Sequence, residues 1–206
     1  MQDEDHAIQI NPNDAEIYKS RAINRYLRGD FKGAIEDYTQ ALHIKPNDAD
    51  AYSFKALAHQ NLGDIEGAIA DYTEIRRLKT AQPDIVDTYT QHAQLRAQIG
   101  DIQGAIADYN QAILIAPNNE SSYINRARLR SELGDKLGAI ADYTQAIRLQ
   151  PCDAVLYQIR AYLRSQTGDK LGAAKDSQQA ASLSQVQKPV SEQRGAYQFI
   201  RQSCPN

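Results

Sequence analysis

Ten of the chain's eleven glycines fall at two positions of a repeating unit. Gly29, Gly63, Gly100, Gly134 and Gly168 follow one another at intervals of 34, 37, 34 and 34 residues, and Gly33, Gly67, Gly104, Gly138 and Gly172 come four residues after each. Nine of the twelve tyrosines keep the same period, with Tyr18, Tyr52, Tyr89, Tyr123 and Tyr157 in one row and Tyr38, Tyr72, Tyr109 and Tyr143 in another. A fixed period near 34 residues marks a stacked array in which each unit is stabilised by its neighbours, and it argues against a globular domain built round one centre.

The unit from Ala15 to Asp48 shows how the repeat works. Its first helix is predicted from Glu16 to Arg28 and its second from Lys32 to Lys45. Gly29-Asp30 separates them: glycine accepts the left-handed conformation just past a helix end, and aspartate caps the helix that follows. The same pair recurs as Gly63-Asp64, Gly100-Asp101, Gly134-Asp135 and Gly168-Asp169. Pro46, Pro117 and Pro151 close second helices, since proline has no N–H to continue them. Asp14, Asp48, Asn119 and Asp153 are placed to cap the next first helix. Where two helices must come close, the residues are small: Ala22, Ala56, Ala93, Ala127 and Ala161 in the first helices, and Gly33-Ala34 with its four counterparts in the second. These rows are structural.

The pattern of an early aromatic, an alanine four residues on and a turn glycine, followed in the second helix by Ala34, Tyr38, Ala41 and a closing Pro46, resembles the tetratricopeptide repeat (TPR). The wording Gly-Ala-Ile-Ala-Asp-Tyr-Thr-Gln-Ala-Ile at 138–147 resembles bacterial members of that family. The resemblance implies an all-α, right-handed superhelical solenoid of antiparallel helix pairs. Repeats are expected at 15–48, 49–85, 86–119, 120–153 and 154–187. Ala7-Ile8-Gln9-Ile10-Asn11-Pro12 reads like Ala41-Leu42-His43-Ile44-Lys45-Pro46, so 1–14 is expected to be the second helix of a preceding repeat. Residues 188–206 are expected to hold a capping helix and tail. The second repeat carries three extra residues near Thr80-Ala81-Gln82-Pro83, and Ile75 stands where the others have alanine; together these read either as a tolerated insertion or as a built-in bend.

One departure from the family runs through all five repeats. Where a bulky apolar residue is usual, the first helices carry Arg21, Lys55, His92, Arg126 and Arg160, with Arg25, His59, Arg96, Arg130 and Arg164 four residues later on the same helix face. The second helices supply Asp37, Asp71, Asp108, Asp142 and Asp176. The matched numbers favour a ladder of ion pairs between helices, and an anion-binding stripe is the alternative.

Family resemblance also implies a function. TPR arrays present their first helices along a concave groove that binds a peptide or helix of a partner protein. The groove positions carried onto this chain are Lys19, Ile23, Tyr26 and Leu27 in the first repeat, Ser53, Leu57, Gln60 and Asn61 in the second, and Thr90, Gln94 and Gln98 in the third. Ile124, Asn125 and Arg128 follow in the fourth repeat, and Gln158 and Tyr162 in the fifth. Amides there can bond a peptide backbone while the apolar side chains anchor it. The clamp by which chaperone-binding members grip a C-terminal carboxylate is not expected, because beside Lys19 its remaining slots hold Ile23, Phe54, Asp87 and Gln91.

Other classes lack support. A net charge of −3 with 24% charged residues does not suggest a nucleic-acid binder, and no apolar run is long enough for membrane insertion. No secretory signal opens the chain, though an upstream targeting segment remains open. Every repeated glycine is explained without a phosphate loop, and His6, His43, His59 and His92 have no ligand set around them, so neither an enzyme nor a metal or other cofactor is expected. Cys152 and Cys204 read as unpaired thiols in a reducing, cytoplasmic setting. The reading is a protein–protein interaction scaffold, for instance an assembly factor. The recognition part of a larger enzyme or signalling protein, and a homo-oligomer formed through exposed repeat ends near Ile8 and Ile10, stay open as alternatives.

Overall fold

The computed structural model describes residues 2–79 and 85–186. These form eleven helices and, among the described residues, no strand: α1 (Gln2–Ile10), α2 (Ala15–Leu27), α3 (Phe31–Ile44), α4 (Ala49–Leu62), α5 (Ile65–Leu78), α6 (Ile85–Gln98), α7 (Ile102–Ile115), α8 (Glu120–Glu132), α9 (Lys136–Leu149), α10 (Ala154–Gln166) and α11 (Lys170–Val186). In the first repeat the helices begin one residue earlier than predicted, directly after their caps. Asp14 accepts from the Glu16 N–H at 2.9 Å and Asp30 from the Gly33 N–H at 2.9 Å. Asp48, Asn119 and Asp153 cap α4, α8 and α10 in the same way, and Asp64, Asp101, Asp135 and Asp169 cap the second helices.

Glycine is needed at both rows, for different reasons. At Gly134 the backbone φ is +81°, a left-handed conformation that other L-residues adopt only at a cost. At Gly138 a Cβ would collide with the carboxylate of Asp135, the cap of α9. At Gly33 and Gly67 a Cβ would also meet Arg25 and His59 of the first helix, so this row answers both to its own helix cap and to the neighbouring helix that the sequence suggested. The alanine rows are the close helix contacts: Ala22, Ala56, Ala93 and Ala127 are each 0% exposed. A larger side chain at these positions overpacks the interface, at about 1–3 kcal/mol.

Packing separates the chain into two units, Met1–Asp108 and Tyr109–Asn206. In the first unit one cluster joins Ala22, Ala34, Tyr38, Leu42, Ala51 and Ala58, and a second joins Ala56, Ala68, Tyr72, Ile75 and Leu95. In the second unit Ala127, Ala139, Tyr143, Ala146, Ile147, Leu156 and Leu163 form one core. Ile75 is buried in its cluster; the insertion beside it falls largely in 80–84, outside the described residues. The expected C-terminal capping helix and Cys204 also lie outside them.

One expectation is corrected. Cys152 is not a free thiol but disulfide-bonded. Disulfides persist in oxidising compartments, so the cysteines give no support to a reducing one.

Gly134→Ala should destabilise the fold by about 1–2 kcal/mol, the cost of a Cβ at positive φ, read as a lower midpoint in urea. An unchanged midpoint would remove the conformational role of this row.

Candidate functional site

The basic stripe is occupied from within. Arg21 binds Asp37 through two bonds of 2.9 and 2.6 Å, and Arg25 adds a contact at 3.1 Å. Arg160 holds Asp176 at 2.9 and 2.7 Å with Arg164 at 2.9 Å, and Arg126 and Arg130 hold Asp142 likewise. Each of these aspartates is buried, between 2% and 4% exposed. The pairs lie inside one helix hairpin, but the first-row cation also reaches back to the preceding second helix: Arg21 to Asp5, Arg126 to Asn110 and Arg160 to Thr144. A tyrosine three residues before the cation lies under it, as with Arg126 over Tyr123 at 5.7 Å and Arg160 over Tyr157 at 5.6 Å. These contacts make the stripe a structural ladder; an external anion would have to displace a bound carboxylate.

The third rung is rebuilt. His92 stands in the arginine row, fully buried, with Nδ1 at 2.7 Å from Asp108. The same Nδ1 lies 3.0 Å from the Arg76 guanidinium, so it stands between a carboxylate and a cation. Arg96 holds Asp108 at 3.1 Å as its counterparts do in the other rungs, and the second guanidinium comes from α5: Arg76 reaches Asp108 at 3.0 Å and lies 4.7 Å over Tyr89, the ring that the row's own cation covers elsewhere. Thr73 Oγ1 sits 3.3 Å from His92 Nε2, which completes a hydroxyl–imidazole–carboxylate sequence. It is not a nucleophilic triad in its physical setting. The Thr73 hydroxyl bonds the Ile69 carbonyl at 2.8 Å, and the surrounding backbone N–H groups of α5 serve its own helix.

The second rung is the weakest. Lys55 bonds Asp71 at 2.9 Å, but His59 stays 3.6 Å away and Asp71 Oδ2 has no hydrogen-bond partner. Burial raises the Asp71 carboxyl above its ordinary 3.8, and the Lys55 bond offsets this only in part.

The residues assigned to the groove meet different fates. On α2 and α4, Ile23, Leu27 and Leu57 are 41%, 75% and 38% exposed. Phe54, 47% exposed and stacked on Tyr38 at 6.1 Å, belongs with them, although the repeat register pointed to it only as a slot of the clamp that was not expected. Tyr26 is tied down, its ring edge-on to Phe31 at 5.3 Å and its hydroxyl accepting from Asn61 at 2.9 Å. Several polar residues turn inward: Lys19 binds Asp48 at 2.7 Å, Ser53 the Ala49 carbonyl, Gln60 the Tyr72 hydroxyl and Thr90 the Val86 carbonyl. Gln94 is half-buried and Gln98 exposed. In the second unit Ile124 packs on the core, Asn125 is half-buried and Arg128 exposed. Gln158 and Tyr162 line a cleft of about 490 Å³ between α10 and α11, together with Ala161, Ala173 and Ser177. The structure thus leaves apolar side chains exposed on α2 and on α4, helices that meet through Tyr26 and Asn61, rather than a uniform row of free amides.

Antiparallel helix pairs repeated at this period, with an exposed strip on their first helices, define a helical-repeat protein. A model of the tetratricopeptide repeat matches residues 49–78, 86–119 and 120–151, and a further TPR repeat model matches 24–63, together more than half of the chain. The chain belongs to the tetratricopeptide repeat family. A search of curated protein sequences finds no match. Among solved structures it is similar to MamA, with 22% identity over 83% of this chain and 92% of that one and a TM-score of 0.72. MamA from Desulfovibrio magneticus RS-1 shares 17% identity over 85% and 97% of the two chains, with a TM-score of 0.67. YrrB, described as a TPR protein with an unusual peptide-binding site, shares 14% identity over 87% and 91%, with a TM-score of 0.69. At such identities the likeness is one of fold. Among the described residues no helix is long and apolar enough to cross a membrane, and no three His, Cys, Asp or Glu side chains are grouped to hold a metal ion.

A double-mutant cycle on Arg126 and Asp142 should show strong coupling, because removing either partner of the buried pair costs about 3–5 kcal/mol; additive losses would sink the ladder. Asp71→Asn should behave otherwise. Its folded-state carboxyl titrates above the unfolded 3.8, so ionisation costs stability, with no cost below the unfolded value and the full cost above the folded one. The variant should therefore gain on wild type as pH rises from 3 to 7 in a series of urea melts, and a widening loss over that range would contradict this reading.

Proposed function

We propose that this chain is a protein–protein interaction scaffold that holds a peptide or helix of a partner protein against the first helices of its repeats, in the role of an assembly factor. The observation that carries the reading is the strip of Ile23, Leu27, Phe54 and Leu57, left exposed on α2 and α4 while the neighbouring charges and amides are bonded within the chain. Aliphatic and aromatic side chains grouped on adjacent helices are what a partner's apolar residues need as anchors. YrrB supports the reading by analogy, since that protein has a described peptide-binding site on a similar fold. Gln94, Gln98, Asn125 and Arg128 extend the proposed surface with polar groups.

The test is affinity capture from native lysate with three forms of the full chain: wild type, Ile23→Ser with Leu57→Ser, and Leu137→Ser. Leu137 is 71% exposed on α9 and lies outside the strip. All three should share one melting temperature. A protein retained by wild type and Leu137→Ser and lost from the double variant is the expected result. Identical capture by all three would place binding elsewhere.

A further inference from the structure

The last hairpin is open where the one before it is filled. On one face of α11, at positions spaced i, i+3 and i+7, stand Ala174, Ser177 and Ala181. One repeat earlier the same positions on α9 hold Ile140, Tyr143 and Ile147, which share a core with Leu156 and Leu163 of α10. The three shortened side chains line the cleft of about 490 Å³ between α10 and α11, and Tyr162 stands beside them, 64% exposed. A helix face made for water carries charged side chains, yet no Asp, Glu, Lys or Arg occurs from Ser177 to Val186.

A covalent tether stands at one end of this cleft. Cys152 lies in the turn between α9 and α10 and is disulfide-bonded. Its match in the repeat register is Val186, where α11 ends, so the chain leaves α11 at the same end of the hairpin as Cys152. The other cysteine of the chain is Cys204, and the seventeen residues 187–203 join it to Val186. Seventeen extended residues reach about 56–61 Å, whereas α10 is about 20 Å long, so this length can run along the cleft and return. It carries Val190, Tyr197, Phe199 and Ile200, large side chains of the kind that α11 lacks on this face.

We infer that the occupant of the cleft is the chain's own segment 187–203, a strap closed by a Cys152–Cys204 bond, with Tyr197 and Phe199 seated over Ala174, Ser177 and Ala181. Aromatic rings bury the most apolar surface per residue and suit a floor of small side chains. The closure also decides the path. A first helix in the register of the repeats, 188–200, would rise about 20 Å to the far end of α10. The four steps left to Cys204 span at most about 14 Å and have to reverse direction first, so the strap turns back before such a helix is complete. The inference holds whether or not α2 and α4 bind a partner, and it takes Gln158 and Tyr162 out of the surface open to one.

The test uses the full chain, purified without reductant. Its tryptic map should contain Cys152 joined to Cys204 within a monomer; Cys152 joined to a second copy, or both thiols free, would overturn the closure. Seating is read from the rate at which trypsin cuts after Arg194, inside the strap. Ala174→Ile with Ser177→Tyr restores the side chains of α9 and fills the cleft, and cleavage should rise by about tenfold or more, since proteolysis follows the population of the open form. Ala181→Lys, which puts a charge on the same exposed face, gives a second reading that does not depend on filling the cleft. Tyr197→Ser with Phe199→Ser should raise the rate to a similar extent and leave the described fold intact, as unchanged helicity checks. A rise in this last variant alone would move the seat away from α10 and α11. Equal cleavage in wild type and every variant would remove the seat altogether.

Discussion

Everything in this array hangs on a buried carboxylate. One aspartate per second helix, from Asp37 to Asp176, sits almost out of contact with water, where an unpaired charge would be costly enough to unfold a hairpin. The cations that neutralise it come from the first helix, twelve and sixteen residues earlier, and the fork of an arginine makes the pairing directional. Because the first-row arginine also touches the preceding second helix, a single side chain fixes both the register within a hairpin and its seat on the previous one. The alanine rows supply close approach but little direction, and the glycine and cap residues fix where helices stop. The ladder decides which face meets which.

That arrangement limits what remains for function. Ten basic or imidazole side chains that would look in a linear sequence like an anion-binding stripe are turned inward. The acidic row that faces them is hidden. Much of the polarity on the first helices is used locally as well, in the Ser53 and Thr90 bonds to carbonyls four residues back. On α2 and α4 the conspicuous unused surface is apolar, and the proposed function follows from this inventory of what the fold leaves over.

The fold was legible in the sequence because a repeat states each rule five times. A single Gly-Asp pair is a weak turn signal, but five in register leave no other reading, and the Arg-Asp ladder could be inferred from equal numbers at a constant offset. The site was legible only in part, since register tells which helix face a residue occupies and not which way its side chain turns. Gln60 and Asn61 were assigned as free amides and instead hold Tyr72 and Tyr26. Phe54 breaks the repeat's pattern, being serine at the matching Ser20, and so carried no periodic signal as a groove residue. Arg76 was invisible for the opposite reason: its role exists only because His92, far along the chain, leaves a carboxylate short of a guanidinium. Cys152 shows the same limit, as a position in the sequence cannot reveal whether its thiol is bonded.

The rungs are not equal, and their inequality is placed. Asp37, Asp142 and Asp176 each have two arginines from their own hairpin, whereas Asp71 has a lysine and a distant imidazole, and Asp108 has Arg96 and His92 from its own hairpin with Arg76 lent by the preceding repeat. Both altered rungs lie in the first unit, on either side of the three extra residues. In an array stabilised by nearest neighbours, a weak rung lowers the free energy of opening its own hairpin without unfolding the rest. The second rung belongs to α4, the helix that also carries Phe54 and Leu57. Half of the proposed binding strip is therefore mounted on the hairpin with the least directional internal restraint, while α2, the other half, is held by two arginines on Asp37. On the proposed function, one firmly held wall and one less restrained wall would let this surface take partner segments of differing side-chain volume. The loss of arginine from the second rung is thus consistent with a binding role for α4, while the regular rung at Asp37 holds α2, the wall that carries Ile23 and Leu27.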